Sequence, residues 1–375
     1  MKKVLMVATY GDFFAAFETN NIKILNDMGC EVHLCANWTD ANYNYKYSKL
    51  DGLKFKKINI EFDRSPYTLK NFKNYKKLSN LMKQGNYYLL DCHNAVVGAY
   101  ARLAAKKNNI SKVMYTAHGF QFYKKGPKKD WMIYYPIERF LSRFTDVLVV
   151  MNEEDNEVAQ KFYSKELFFI HGIGVNLEKS NSESEKKLNR ADFGIPRNSF
   201  VILSVGELSK RKNHEVVIEA LKEMNDKDIY YLIAGEGQEK ETLLKKVSDA
   251  NLSTNIKLLG FRTDIDSLNK MVDIAIFPSL REGLMIAGIE SLANGTPIIA
   301  SNRKGLADYT IDYSTGFRIE PKSVRDVTRK INYIKENKLL LKNMEQNAII
   351  KSKEYSLEVV ENEMRNIYLG LINEE

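Results

Sequence analysis

Glu282 and Glu290 stand at the two ends of the stretch EGLMIAGIE, with seven residues between them. A short apolar strand, Ile274–Phe277, ends at Pro278 just before it. A loop carrying Arg281, Glu282 and Gly283 follows, and Met285–Asn294 then reads as a helix stopped by Gly295 and Pro297. A second strand, Pro297–Ala300, completes one unit of a parallel α/β sheet. At 100° per residue Glu290 falls about 40° from Ile286 and about 60° from Ala293, toward the apolar side of the helix. A carboxylate there is costly unless something satisfies it. Glu282 sits where the helix begins, and that end offers free N–H groups and a positive dipole end, which suit phosphate. Two carboxylates bracketing an anion site fit a ligand with hydroxyls at both ends and phosphate in the middle. A nucleotide sugar has that layout.

Four further groups could take part. In SVGELSKRKNH a strand ends at Gly206, and Lys210, Arg211 and Lys212 precede the next helix. Cations at the C-terminal edge of a parallel strand are well placed for a diphosphate. Gly235, in AGEG, follows another strand and allows a tight turn. Arg262, in LGFRTDI, follows a third strand end and could stack on or frame a base. His118, in YTAHGF, follows a strand end in the first half of the chain. The motif ATYGDFF leaves Gly11 as the single glycine of a first strand-to-helix loop.

These residues need a scaffold of strands, and the sequence supplies two sets. Val4–Ala8, Glu31–Ala36, Lys54–Ile60, Tyr87–Cys92, Lys112–Thr116, Asp146–Val150 and Leu167–Ile170 read as strands, mostly separated by helical runs such as Phe13–Met28 and Tyr67–Lys83. The alternation predicts a parallel sheet covered on both faces. Asn176–Arg190 has almost no apolar residues and reads as a solvated linker or a helix start. The alternation then restarts with strands at Phe200–Val205, Ile229–Ala234, Ile256–Leu259 and Val272–Phe277. We therefore expect an α/β protein of two Rossmann-like, doubly wound domains facing each other across a cleft. The boundaries are an N-terminal domain 1–172, a linker 173–190, a C-terminal domain 191–355 and a final helix 356–375 crossing back.

Length and composition agree: 375 residues, 44% hydrophobic and 28% charged, suit two soluble domains with real cores. No apolar run approaches the ~18 residues a membrane span requires, and MKKVLMVATYGDFF reads as a first strand rather than a signal peptide. Cys30, Cys35 and Cys92 form no metal pattern and look like reduced cytosolic thiols. The net charge of +8 is uneven. Eleven lysines and arginines fall between Lys46 and Lys83, opposed by Asp51, Glu61 and Asp63. A second patch, FYKKGPKKDWMIYY, mixes Lys124, Lys125, Lys128 and Lys129 with Trp131 and tyrosines. Lysine with Trp and Tyr is the mixture favoured at an anionic membrane surface. No RNA-module signature accompanies it, so nucleic acid is not the expected partner.

Taken together the motifs resemble glycosyltransferase family 4, whose members have the GT-B fold. REGLMIAGIESLANGTPIIAS is similar to the family's Glu-x7-Glu unit and VGELSKRKNH to its donor-diphosphate loop. YTAHGFQFYKKGPKKDWMIYYPIERFLSRFTDVLVVMNEED resembles the exopolysaccharide and capsule branch of Gram-positive bacteria. The resemblance implies a retaining enzyme in which the donor phosphate oxygen takes the acceptor proton. It places Glu290 on the ribose, Glu282 on the donor sugar, and the backbone of Leu284, Met285 and Ile286 against sugar and diphosphate. Lys212 would neutralise the leaving diphosphate, Gly206 and Gly235 would line the donor side, and Arg262 would lie by the base. His118 would line the reaction centre, with Gly11 on the acceptor side. The catalytic set is thus His118, Lys212 and Glu282. Many relatives have arginine where this chain has Glu207, so Arg211 or Lys210 would supply the second charge. The implied donor is a UDP-sugar, and the implied acceptor is a polyprenyl-diphosphate-linked saccharide. The expected location is cytoplasmic, peripheral to the inner membrane face. No cofactor and no DxD-type metal site are expected. Two rivals remain: a GT-B-fold epimerase or hydrolase, and a non-catalytic nucleotide-sugar-binding subunit.

Overall fold

The computed structural model describes residues 1–40, 47–66, 68–177 and 188–373. Lys46, Tyr67, most of the expected linker (178–187) and the last two residues lie outside the described residues. The chain folds into two compact units, one made of Met1–Gly174 with the segment from Glu358 onward, the other of Val175–Leu357.

The first unit is built on strands β1 (Lys3–Tyr10), β2 (Glu31–Asn37), β3 (Lys56–Asn59), β4 (Leu89–His93), β5 (Lys112–Ala117), β6 (Val147–Val150) and β7 (Glu166–Phe169). All pair in parallel in the order β3-β2-β1-β4-β5-β6-β7. Burial of both faces explains the unbroken apolar runs. Val4, Met6 and Ala8 enter one core, and Leu5 and Val7 the other. The helices are α1 (Thr19–Asp27), α2 (Leu69–Gly85), α3 (Ala95–Asn108), α4 (Lys128–Leu141) and α5 (Glu153–Ala159). Asn86 and Asn109 end α2 and α3 in the left-handed conformation that usually calls for glycine.

The second unit carries β8 (Phe200–Val205), α6 (Glu215–Met224), β9 (Ile229–Ala234), α7 (Lys240–Asp249), β10 (Ile256–Gly260), α8 (Ile265–Met271), β11 (Ile274–Phe277), α9 (Ile286–Ala293), β12 (Ile298–Ser301) and β13 (Gly316–Ile319). Helices α10 (Val324–Glu336) and α11 (Lys338–Ser352) follow, and α12 (Leu357–Asn373) then joins the first unit, burying Val360, Met364 and Ile367 in its core. The sheet of the second unit is parallel in the order β10-β9-β8-β11-β12-β13. The strand order reverses between β1 and β4 in the first sheet and between β8 and β11 in the second. In open α/β sheets, ligands bind at the carboxyl ends of the strands flanking such a reversal.

Three features differ from the expected pattern. The helix expected over Phe13–Met28 opens with a π turn, Phe14–Glu18, before α1 begins. Such a turn re-aims the side chains around it, and Glu18 ends up buried. Strand β13 was not anticipated; only four residues long, it exposes Arg318 and buries its other three residues. Glu290 is half-buried, not in the core. Helix α9 buries Gly288, Ile289, Ser291 and Leu292. Ile286 and Ala293, the neighbours that seemed to draw Glu290 inward, are themselves only half-buried and mark the rim of that face.

Candidate functional site

At the reversal of the second sheet, the loop after β8 meets the loop after β11. The backbone N–H of Leu280 donates to the Arg211 carbonyl at 2.8 Å. Asn213, in the left-handed region at φ +58°, donates its side-chain amide to the carbonyls of Pro278 (3.1 Å) and Pro321 (2.6 Å). These bonds fix Lys212 and Arg211 against Glu282. The Lys212 Nζ and an Arg211 guanidinium nitrogen both lie 2.8 Å from the same oxygen, Oε1 of Glu282. Lys212 is buried, with Nζ also 3.5 Å from Met285 Sδ. Burial pushes the Glu282 carboxyl upward, but Lys212 and Arg211 outweigh it and hold it below the usual carboxylate range. Burial first, then repulsion from Arg211, lowers Lys212 below an ordinary lysine, with Glu282 opposing.

Helix α9 begins just beyond, with Met285 in the N-cap position and no side-chain cap. Its entry is pinned by Tyr309, which is buried and donates its hydroxyl to the Met285 carbonyl at 2.8 Å. Leu284 and Ile286 are half-buried and Met285 is buried. Gly206 (φ +150°) and Gly235 (φ +155°) allow the strand ends to close up. A Cβ on Gly235 would sit 1.9 Å from the Gly206 carbonyl oxygen. Gly235 is therefore explained by backbone packing, whereas a Cβ on Gly206 would meet the Lys212 side chain at 3.3 Å.

At the reversal of the first sheet, His93 ends β4 and His118 follows β5. Glu18 reaches them from the π turn. Glu18 Oε1 lies 3.5 Å from His93 Nδ1 and 3.4 Å from His118 Nε2. Asp91 Oδ1 lies 3.3 Å from His93 Nε2. Tyr368 of α12 donates to Asp91 Oδ2 at 2.6 Å, and Asn21 donates to Glu18 Oε2 at 2.7 Å. Burial holds the His93 imidazole neutral, down to about 4. Burial also raises Glu18, but His93 and His118 overcome it and the carboxyl ends below its ordinary range. Asp91 is pushed well above its ordinary value by burial and by Glu18.

Several expected residues find other employment. Arg262 is half-buried and forks onto Asp264, through Nε at 2.9 Å and through a second nitrogen on the other oxygen. Phe261 beside it is 71% exposed. Gly11 packs under Trp38: a Cβ there would fall 2.3 Å from the indole. Its glycine is required by that contact. Trp131, expected at a membrane surface, turns inward, its ring 4.8 Å from Phe122 and its N–H donating to the Tyr123 carbonyl. Lys124 is exposed but pairs with Glu157 at 2.6 Å. Lys125, Lys128 and Lys129 are exposed. Of the alternatives for a second charge, Arg211 is drawn to Glu282, whereas Lys210 is exposed. The three cysteines are free and buried.

Two family models match the chain, "Glycosyl transferases group 1" over residues 185–351 and "Glycosyl transferase 4-like" over residues 3–152. EpsD of Bacillus subtilis is 32% identical, covering 98% of this chain and 96% of its own length. The chain belongs to glycosyltransferase family 4. A UDP-Gal:alpha-D-GlcNAc-diphosphoundecaprenol alpha-1,3-galactosyltransferase of Escherichia coli is 30% identical over 72% of each chain. Anabaena Alr3699/HepE in complex with UDP superimposes with a TM-score of 0.79 at 17% identity, over 99% of this chain and 100% of that one. The lipopolysaccharide enzyme WaaG gives 0.69 at 17% identity, over 98% and 100%. The two Rossmann-like units of this glycosyltransferase thus have the GT-B fold. The structure sets Lys212 against Glu282 and His118 against Glu18 and His93; sequence reasoning did not name Glu18, His93, Asp91, Asn213 or Tyr309. The signal for His93 was present: like His118 it stands at the end of an apolar run, and parallel neighbours bring such ends together.

Proposed function

We propose that this glycosyltransferase moves a hexosyl or N-acetylhexosaminyl group from a UDP-sugar to a polyprenyl-diphosphate-linked saccharide, with retention, in the building of exopolysaccharide or capsule. The observation that carries the reading is the Lys212–Glu282 pair, 2.8 Å apart in the loop that leads into the uncapped start of α9. Cleavage of the sugar–phosphate bond places negative charge on the diphosphate. An ammonium and free helix N–H groups meet that charge without rearrangement. Glu282 holds the ammonium in place and offers its remaining acceptor capacity to sugar hydroxyls. Glu290, at the rim of α9, takes the ribose hydroxyls. Arg262 is held rigid by Asp264 and frames the base, for which exposed Phe261 provides a flat face. The names of relatives support this donor and acceptor: one is named for UDP-Gal and a diphosphoundecaprenol-linked acceptor, and another, from Campylobacter jejuni, for N-acetylgalactosaminyl transfer to a diphospho-undecaprenol saccharide.

The same reading puts the first unit against the inner membrane surface. No helix among the described residues is long and apolar enough to cross a membrane. Helix α4 instead exposes Met132 (77%), Ile133, Ile137 and Phe140, with Lys128 and Lys129 at its start. Apolar residues edged by lysine suit shallow insertion into an anionic interface. A panel of UDP-, GDP- and dTDP-sugars tests the donor by thermal shift. A rise in Tm confined to UDP-sugars, and lost in E290A, is expected. Preference for a GDP- or dTDP-sugar overturns the donor assignment.

A further inference from the structure

The cluster at the end of β4 and β5 has a geometry that hydrogen bonding explains only in part: His93 Nδ1 and His118 Nε2 share one bond, while Glu18 Oε1 is left without one. Glu18 Oε1, His93 Nδ1 and His118 Nε2 form a nearly equilateral triangle with sides of 3.3, 3.4 and 3.5 Å. Charge-assisted hydrogen bonds run shorter, about 2.7–2.9 Å. Glu18 Oε1, His93 Nε2 and Asp91 Oδ1 are all buried without a hydrogen-bond partner, and buried polar groups normally have one. Four ligands at about 2.0–2.1 Å around a tetrahedral zinc ion lie about 3.3–3.4 Å from one another. The cis edge of an octahedral site at a similar bond length is shorter, about 3.0 Å.

We propose that Glu18, His93 and His118 bind a zinc-like divalent cation, with three protein ligands and an open fourth position. The surroundings match what such a site needs. Asp91 stands behind His93, its Oδ1 facing the ring nitrogen that does not point at the triangle, and Tyr368 orients Asp91 in turn. A carboxylate behind a ligating histidine fixes its tautomer and orientation. Asn21 does the same for the second oxygen of Glu18. The rings of Phe13 and Phe17 pack on His118 at 5.0 and 6.0 Å and supply an apolar wall. Glu18 and His93 are almost wholly buried, while His118 is partly exposed. The cation would therefore enter past His118, and the fourth ligand, a water or another oxygen, lies on that side. The π turn has a purpose in this account, since it brings Glu18 to the two histidines. All three ligands come from the first unit, and one of them, His118, is the histidine expected at the reaction centre.

The test uses the full chain, stripped with a chelator and titrated with Co2+ and Zn2+ alone. One Co2+ per chain with the strong visible bands of tetrahedral nitrogen–oxygen coordination, displaced by one equivalent of Zn2+, is expected. Zinc should also raise Tm. H118A should lose the bands, and Asp91→Asn should weaken zinc binding by about 10–100-fold. H171Q, altering a histidine paired with Glu363 elsewhere, should bind as the parent does. Absence of the bands and of a zinc-dependent Tm rise in the unaltered chain overturns the site, whatever the variants do. Undiminished binding by H118A, with its fold verified by circular dichroism, overturns it as well.

Discussion

Replacing Lys212 with methionine separates two quantities that the site holds together. Methionine keeps the apolar stem that packs by Met285 and Gly206 and removes only the charge. Glu282 would not be left alone, because Arg211 remains 2.8 Å from the same oxygen. Breaking a buried pair outright costs about 3–5 kcal/mol. With Arg211 retained, the expected loss of unfolding free energy is about 2 kcal/mol. Turnover should suffer more. A preorganised group aimed at developing charge contributes about 10²–10³ in kcat. The expected variant is thus folded, binds donor and turns over at least a hundredfold slower. Arg211→Ala should be milder on both counts, since its side chain is 38% exposed where that of Lys212 is 10% exposed. The assay is UDP release at saturating donor and acceptor, paired with urea denaturation. The pH profile supplies an independent sign. In the proposed mechanism the ammonium is the working form, and burial has lowered its pKa. Activity should fall with rising pH before an ordinary lysine, near 10.4, would titrate. Lys212→Arg should remove that alkaline limb. A Lys212→Met enzyme within tenfold of the parent in kcat would refute the diphosphate assignment.

Three other outcomes are expected. Burial holds His214 neutral, with its pKa down to about 4 against 6.5 in the unfolded chain. Stability should therefore decline as pH falls from above 6.5 toward 4, by up to about 3 kcal/mol at about 1.4 kcal/mol per unit. Urea midpoints of His214→Asn should show a shallower decline over that window. Arg102 and Glu138, both buried and 2.7 Å apart, tie α3 to α4. Glu138→Leu should lose about 3–5 kcal/mol, and the Arg102→Leu/Glu138→Leu double variant distinctly less, because it leaves no unpaired charge; equal losses by denaturant titration would contradict this. Binding to anionic vesicles should weaken with salt and in a Lys128→Glu/Lys129→Glu variant, and should be lost when Ile133, Ile137 and Phe140 become serine. Salt-independent or absent binding in a flotation assay would remove the membrane from the account.

The sheets were legible because a strand buried on both faces must be apolar throughout. Runs such as VILSV and IAIF have few other fates. The loops of the proposed donor half-site were legible for a related reason. Their residues follow strand ends at short range, and a helix N-terminus after a parallel strand has one chemistry to offer. Glu290 was misread in depth because the helix period gives an angle without saying which side the core lies on. Trp131 was misread because composition counts a tryptophan without revealing that Phe122 and the Tyr123 carbonyl would claim it. The Glu18–His93–His118 cluster stayed hidden for a different reason. Its members lie on three segments with no shared spacing, and only the reversal between β1 and β4, with a π turn, brings them together.

The central claim is transfer from a UDP-sugar with retention, and anomer-resolved NMR of the product tests it most directly. With the preferred UDP-sugar and a polyprenyl-diphosphate-linked saccharide, one UDP should appear per glycosidic bond formed, and the new bond should keep the donor's anomeric configuration. Release of UDP or an altered sugar without acceptor, or a product of inverted configuration, would contradict the account.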